Sequence, residues 1–196
     1  MVNQPIALHA FYYDLLYTDR YLRTNTMTKQ LKMTTDQMKQ QQVLIQMTIR
    51  AWDGEVAKAD QYIFDLPDEK WYSEVSPGRN RAIYLIGHLT ASNDSLFEIL
   101  GVGQRLYPEL EAAFIRNPDR SGLDMPDPGI IKTHWFKVHE GLRYSFLTIS
   151  DEEWFGRHMA MTDEDFAMEP MRNKLNVLMS RTRHLAYHLG QLKLIQ

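Results

Sequence analysis

Residues 170–192 read PMRNKLNVLMSRTRHLAYHLGQL, a proline followed by a long stretch in which apolar residues recur every three or four positions. This spacing predicts an α-helix that buries one face, since residues three and four apart lie on the same side of a helix. The predicted buried face contains Leu175, Leu178, Met179, Leu185, Leu189 and Leu192. The same stretch places His184 and His188 four residues apart, so both imidazoles project from one face, one turn apart.

Three earlier stretches have the same periodicity and predict three more long helices. The first begins at Thr34-Thr35-Asp36, a good helix start, and continues to Asp65 without proline. The second covers about 80–100 and the third about 128–149. Their predicted apolar faces are, in the same order, Val43, Met47, Arg50, Ala51, Gly54 and Ala57/Lys58; then Ile83, Ile86, Leu89, Leu96 and Leu100; then Ile131, Trp135, Val138, Leu142 and Phe146. Four long helices and no predicted strand indicate an all-α fold, an antiparallel four-helix bundle.

The remaining segments are shorter. Residues 1–35 are rich in aromatic side chains and lack regular aliphatic spacing, so we interpret them as an arm with one short helix at about 8–22. Residues 36–196 are interpreted as the bundle. A minor helix is predicted at 108–116, and the acidic stretch 159–169 is predicted to be a loop.

The composition is that of one ordinary globular domain. The chain has 196 residues, no cysteine and a formal net charge of −3. The lack of cysteine excludes disulfides, thiolate metal ligands and thiol nucleophiles, and it is typical of a reducing compartment. The small net charge gives no reason to expect binding to nucleic acid or anionic lipid. No segment approaches the roughly 20 uninterrupted apolar residues of a membrane span. We therefore expect a cytoplasmic protein without a membrane or nucleic-acid partner.

The histidine pair on the last helix is a candidate metal site, because imidazole nitrogens bind divalent ions at about 2.0–2.1 Å. A third ligand is expected from another helix, and His88 is the best candidate because it lies beside the apolar face of the second helix. Gly87 would allow a neighbouring element to approach it closely. Hydrogen bonds between the histidines, or a bridging water, are the alternative way to satisfy buried imidazoles. Leu185 follows His184 where a zinc peptidase of the His-Glu-x-x-His type has its glutamate, which excludes that design.

A family resemblance rests on two motifs. With Gly87-His88-Leu89 on the second helix and His184-Leu-Ala-Tyr-His188-Leu-Gly-Gln-Leu192 near the C-terminus, the sequence resembles the DinB/YfiT-like metal-binding bundles (DinB superfamily). The resemblance covers roughly residues 36–196 and leaves the aromatic arm uncovered. It implies an up-up-down-down four-helix bundle with a long crossover between the second and third helices, often dimeric. It also implies a metal site with open coordination positions, formed by His88, His184 and His188.

The implied site determines the expected chemistry. A divalent ion held by three neutral imidazoles can activate bound water or hold a thiolate nucleophile. Ligation by nitrogen alone suits zinc, nickel, iron or copper. We interpret the chain as a metal-dependent enzyme, a hydrolase or a low-molecular-weight thiol transferase, which acts on a small molecule or thiol and forms a homodimer. The alternative is a non-catalytic helical bundle that binds a metal or a small ligand, for example in a stress response.

Helical spacing nominates three further residues, each three or four positions from a proposed ligand: Tyr84, Arg181 and Gln191. Tyr84 or Arg181 is expected to hydrogen-bond a substrate oxygen, and Gln191 is expected to orient His188. The alternative for each of the three, and the one that the sequence favours, is an ordinary, partly buried polar residue on the shoulder of a helix.

The other acidic and histidine side chains carry weaker predictions. No general base can be named, although acidic residues of the first helix are candidates, namely Asp53, Glu55 and Asp60. The remaining histidines are expected to lie outside the site; they are His9, His134, His139 and His158.

Overall fold

The computed structural model describes the backbone of residues 6–195 and the side chains of residues 36–195. Its helices are α1 Ile6–Asp65, α2 Ala82–Asp94, α3 Leu96–Ile99, α4 Leu110–Phe114, α5 Pro128–Phe146, α6 Asp151–Trp154, α7 Asp163–Met168 and α8 Lys174–Leu192. The described residues contain no β-strand beyond two isolated bridges, so the all-α prediction is confirmed. The up-up-down-down order of the helices stays a prediction. In the same part of the chain, no helix combines the length and the apolarity that crossing a membrane requires.

Helix α1 is longer than predicted. It begins at Ile6 rather than at Thr34, because neither proline nor glycine interrupts the chain between Ile6 and Gly54. The chain forms two compact units, Met1–Leu44 and Ile45–Gln196, and every site discussed below belongs to the second unit. The predicted packing role of the aromatic side chains in residues 1–35 lies outside the described residues.

The buried face of α1 also differs from the prediction. Within the second unit its buried apolar side chains are Ile45, Trp52, Val56, Ala59 and Ile63. Val43 and Met47, which the periodicity placed on the core face, are 57% and 63% exposed. Both sets recur at helical spacing, so periodicity alone does not choose between them. The observed set contains the bulky Trp52 and Ile63, and it removes more apolar surface from water.

Helix α2 is the central helix of the second unit. Twelve of its 13 residues are buried, and His88 is the exception. The helix packs against α4, α5 and α8, which accounts for its nearly complete burial. The predicted apolar residues Ile83, Ile86 and Leu89 are all at most 2% exposed. The second predicted helix is divided at Ser95, which separates α2 from α3.

Helices α5 and α8 bury the faces that the sequence predicts, with the exception of Met179, which is 45% exposed. Helix α8 begins after Asn173, whose side chain accepts a hydrogen bond from the backbone N–H of Asn176 at 2.9 Å.

The prediction of a loop at 159–169 is wrong, because α7 forms there. Thr162 caps that helix in a reciprocal pair of hydrogen bonds with Asp165.

Two carboxylates hold the segment that contains α4 against α2. Asp94, at the end of α2, accepts hydrogen bonds from the backbone N–H groups of Leu106 at 2.8 Å and Tyr107 at 3.0 Å. Asp119 accepts hydrogen bonds from the backbone N–H of Arg81 at 2.9 Å and from its guanidinium at 2.6 Å. Because these contacts lie at opposite ends of α2, they fix α4 alongside the middle of that helix, where His88 is located.

Candidate metal centre

Three histidines from two helices converge in the second unit. One ligand nitrogen each of His88, His184 and His188 lies within 4.8 Å of the other two, and no carboxylate of the described residues joins the cluster. His88 Nε2 is 3.0 Å from His184 Nε2. Two nitrogens that share one ion at about 2.0–2.1 Å lie roughly 2.8–3.4 Å apart at octahedral or tetrahedral angles. The sequence prediction that these three residues come together is therefore matched by the geometry.

A hydrogen bond between the rings of His88 and His184 would have the same length as their observed 3.0 Å separation. That pair alone does not distinguish a shared ion from mutual hydrogen bonding. The position of His188 favours the shared ion. A hydrogen bond between His88 and His184 gives no reason for a third imidazole nitrogen to lie at the same point, whereas a metal ion does. The rings lie at 81–83° to one another, so their edges rather than their faces meet.

The orientation of His88 is fixed by α4. Its Nδ1 lies 2.8 Å from the backbone carbonyl of Phe114, so Nδ1–H donates to that oxygen. A neutral imidazole has one N–H, and Nε2 therefore carries the free lone pair that a metal needs. Gly87 makes the approach possible, because a Cβ at this position would lie 2.2 Å from the Phe114 ring. The expected role of Gly87 is thus confirmed.

His188 is oriented by its own helix. Its Nδ1 lies 2.7 Å from Gln191 Oε1, one turn later on α8. The Gln191 amide in turn donates from Nε2 to the hydroxyl of Tyr187 at 3.3 Å, which orients the amide oxygen toward His188. Nδ1–H of His188 is the donor in this arrangement, so Nε2 is left as its ligand nitrogen.

His184 has a different environment from the other two ligands. Its Nδ1 is buried and has no hydrogen-bond partner among the described residues. A buried ring nitrogen without a partner destabilises the metal-free cluster, because it has lost water and gained nothing in exchange. Of the three rings, His184 is the one that no hydrogen bond at Nδ1 orients. Its Nε2 instead lies 3.0 Å from that of His88.

Burial keeps the three histidines neutral. Desolvation, together with the neighbouring His188, His88 and Arg181, lowers the pKa of His184 to about 4. Desolvation also lowers the pKa of His88, against the opposing effect of its hydrogen bond to Phe114. The pKa of His188 is lowered by burial as well, with Gln191 opposing. Neutral imidazoles at pH 7 are the form that binds a metal, so no proton has to be displaced first.

The residues nominated by helical spacing have distinct roles. The hydroxyl of Tyr84 donates to the carbonyl of Asn117 at 2.8 Å, and its ring stacks beside His88 with centroids 6.2 Å apart. Gln191 contacts His188 as expected. Arg181 lies close enough to lower the pKa values of His88 and His184, and it has no hydrogen-bond or ion-pair partner among the described residues.

The acidic candidates for a general base are engaged outside the histidine cluster. Asp53 pairs with Arg143 at 2.7 Å. Asp60 accepts a hydrogen bond from Trp135 Nε1 at 2.6 Å. Glu55 pairs with Lys58 at 2.6 Å. None of these contacts brings a carboxylate to His88.

The other described histidines also lie outside the cluster. His134 stacks on Tyr107 with ring centroids 3.6 Å apart. His139 is buried, and its Nδ1 donates to the carbonyl of Trp135 at 2.7 Å. His158 accepts a hydrogen bond from the backbone N–H of Ala160 at 3.2 Å. The side chain of His9 falls outside the described residues.

A cavity of about 520 Å³ lies beside Gln191, the partner of His188, and none of the three histidines lines it. Its wall includes Tyr187 and Gln191 from α8, Leu85 from α2, and the turn that contains Arg79 and Asn80. Cavities of about 300–1,000 Å³ are typical of small-molecule sites. Sequence reasoning did not identify this cavity or the carbonyl of Phe114, since both depend on how the loops before α2 and α4 return to the core.

No protein-family model matches this chain, and no curated protein matches its sequence. Membership of the DinB/YfiT-like bundles therefore stays a prediction. The structure shows an all-helical domain with a cluster of three histidines that could bind a metal.

Proposed function

We propose that the chain binds one divalent metal ion through His88, His184 and His188 and uses it as a catalytic centre for a small-molecule substrate, as in the DinB/YfiT-like bundles that its sequence resembles. The observation that supports this most strongly is the convergence of three ligand nitrogens within 4.8 Å. Zinc, nickel and iron are the candidate ions, because all three accept imidazole ligands. A homodimer is part of the same proposal.

The chain prepares its ligands before any ion arrives. Phe114 and Gln191 hold the Nδ1 protons of His88 and His188, so the Nε2 lone pairs of both rings are available. Such partners fix the tautomer and raise the basicity of the ligating nitrogen. The two rings are therefore already oriented in the folded, metal-free chain. Metal binding then needs little rearrangement of the site, which favours high affinity.

The ligand set indicates the class of reaction. An ion bound by three neutral imidazoles keeps its full charge and open positions, at which it can lower the pKa of water or of a thiol. No protein carboxylate joins the cluster among the described residues, so a nucleophile that the ion itself acidifies is favoured over one that needs a carboxylate base. Both hydrolysis and transfer of a low-molecular-weight thiol meet this requirement.

The experiment is a comparison of reconstituted proteins. Untagged protein is loaded with zinc, nickel or ferrous iron and assayed for p-nitrophenyl acetate hydrolysis and for transfer of glutathione or cysteine to 1-chloro-2,4-dinitrobenzene. We expect turnover in at least one assay, its loss in H184A/H188A, and its retention in H134Q, which changes a histidine outside the cluster. Stoichiometric metal without turnover in a wider panel of esters, amides and thiol acceptors would instead favour the non-catalytic metal- or ligand-binding bundle.

A further inference from the structure

Arg181 lies on the same face of α8 as His184 and His188. It lies three residues before His184 and seven before His188, so all three side chains project from one side of the helix. Its side chain is partly buried, and its Nε is fully buried without a hydrogen-bond partner among the described residues. The guanidinium of Arg181 also forms no ion pair in the described part of the chain.

An arginine in this state is unusual because burial of a charge is costly unless an opposite charge compensates it. Burial lowers the pKa of Arg181, and no carboxylate opposes that shift. Other arginines of the chain show the ordinary solution: Arg81 pairs with Asp119 at 2.6 Å and Arg143 with Asp53 at 2.7 Å. Arg181 thus carries a partly desolvated positive charge that no described carboxylate compensates.

The histidine cluster lies within the electrostatic range of Arg181. The guanidinium lowers the pKa values of both His88 and His184, so its charge reaches the two nitrogens that face each other at 3.0 Å. Residues three apart on a helix have Cβ atoms about 5–6 Å apart, a distance that a small anion can bridge. A divalent ion at the cluster would add its own charge to that of the guanidinium, and no described carboxylate balances either one.

We propose that Arg181 anchors an oxyanion site that opens onto the histidine cluster, and that the natural substrate is a small molecule with a carboxylate or phosphate group. The planar guanidinium donates two parallel N–H groups to such a group, a geometry that a lysine does not offer. The identity of the substrate rests on the proposed function, whereas the oxyanion site itself does not. A partly buried guanidinium without a protein partner is then explained as preparation for the ligand rather than as a defect of the core.

The test uses three variants of the full chain. R181M removes the charge and keeps a long apolar stem, and R181K keeps the charge but loses the planar fork. R183M is the matched control, because Arg183 lies on the same helix, is exposed and forms no ion pair or hydrogen bond with any described residue. Circular dichroism checks that each variant keeps its helical content.

The first readout is thermal unfolding of metal-free protein, titrated with phosphate and separately with acetate at constant ionic strength. We expect both anions to raise the Tm of the wild type and of R183M. We expect R181M to weaken anion affinity by about ten-fold or more, as for the loss of a charge-assisted hydrogen bond, with R181K intermediate. The higher of the two affinities, for phosphate or for acetate, indicates whether the substrate group is a phosphate or a carboxylate.

The second readout is stability without any anion. A guanidinium kept for a ligand costs stability, so the Tm of R181M is expected to equal or exceed that of the wild type. A guanidinium with a structural role would give the opposite, a lower Tm in R181M with an unchanged response to phosphate.

The outcomes separate this inference from the proposed function. Phosphate and acetate affinities that are equal in wild type and R181M, or the absence of binding by wild type, would overturn the oxyanion site even if one metal ion binds per chain. If anion binding depends on Arg181 but the chain binds no metal, the oxyanion site is supported and the proposed metal function is contradicted. The same titrations in cobalt-loaded protein, followed by visible absorption, show whether the anion also reaches the ion.

Discussion

His88 Nε2 and His184 Nε2 lie 3.0 Å apart, although 96 residues separate them along the chain. The carbonyl of Phe114 holds the His88 ring by its Nδ1, whereas Nδ1 of His184 has no partner among the described residues. The contact therefore depends on α4 as much as on the helices that carry the histidines.

Gln191 is expected to determine metal affinity through His188. Q191M removes the acceptor that holds Nδ1–H at 2.7 Å, and we expect metal affinity to fall by about 10–100-fold, as for other partners of metal-bound histidines. Q191E keeps an oxygen acceptor at the same position and should retain or increase the affinity. Competition with a fluorescent chelator measures both, and equal affinities for Q191M and wild type would show that Gln191 does not orient His188.

Gly87 is expected to be essential for the packing of α2 against α4. G87A places a Cβ at 2.2 Å from the Phe114 ring, and because that ring is fully buried we expect a loss of about 1–3 kcal/mol in the free energy of unfolding. Urea denaturation measures the change. G190A is the control, since a Cβ there has no neighbour within 4 Å, and it should stabilise α8 by about 0.5–1 kcal/mol.

A further consequence of G87A concerns the site. Displacement of Phe114 moves the carbonyl that holds His88, so the variant should also lose metal affinity, while G190A keeps it. A variant that is destabilised but binds metal normally would show that the Phe114 carbonyl is not required to orient His88.

His139 is expected to cause part of the loss of stability at acidic pH. Burial lowers its folded-state pKa to about 3 from the ordinary histidine value of about 6.5, so between these values the unfolded chain binds a proton that the folded chain does not. The stabilisation is complete above pH 6.5 and decreases as the pH falls, by about 1.4 kcal/mol per pH unit for one proton. H139F should therefore flatten the profile between pH 6 and pH 4 relative to wild type.

The measurement for His139 is urea denaturation of metal-free protein across that pH range, so that metal binding does not contribute. Phenylalanine keeps an aromatic ring beside Trp135, whose centroid lies 3.9 Å from that of His139. Parallel profiles for the two proteins would mean that His139 is not buried as a neutral ring.

The ligand set could be predicted from sequence because helical geometry is local. His184 and His188 share a face by their spacing alone, and His88 adjoins an apolar stripe whose members are buried. Gln191 follows from the same spacing. The carbonyl of Phe114 could not be predicted, because its place beside His88 depends on contacts such as those of Asp94 with the loop before α4.

The differences between the predicted and the observed fold have specific physical causes. Two apolar arcs compete on α1, and the arc with Trp52 is buried because it removes more surface from water, a comparison that periodicity does not make. The acidic composition of 159–169 favours a loop, but Thr162 and Asp165 have the spacing of a capping box and α7 forms there. Thr34-Thr35-Asp36 resembles a helix cap, whereas α1 passes through it.

The most direct test of the metal centre is the metal content of untagged protein by mass spectrometry, after reconstitution with zinc, nickel or ferrous iron. We expect close to one ion per chain in the wild type and in the control H134Q, and almost none in H184A/H188A or H88Q. If wild type and H184A/H188A hold the same amount of metal, or if the wild type holds none, the cluster of His88, His184 and His188 is not a metal centre.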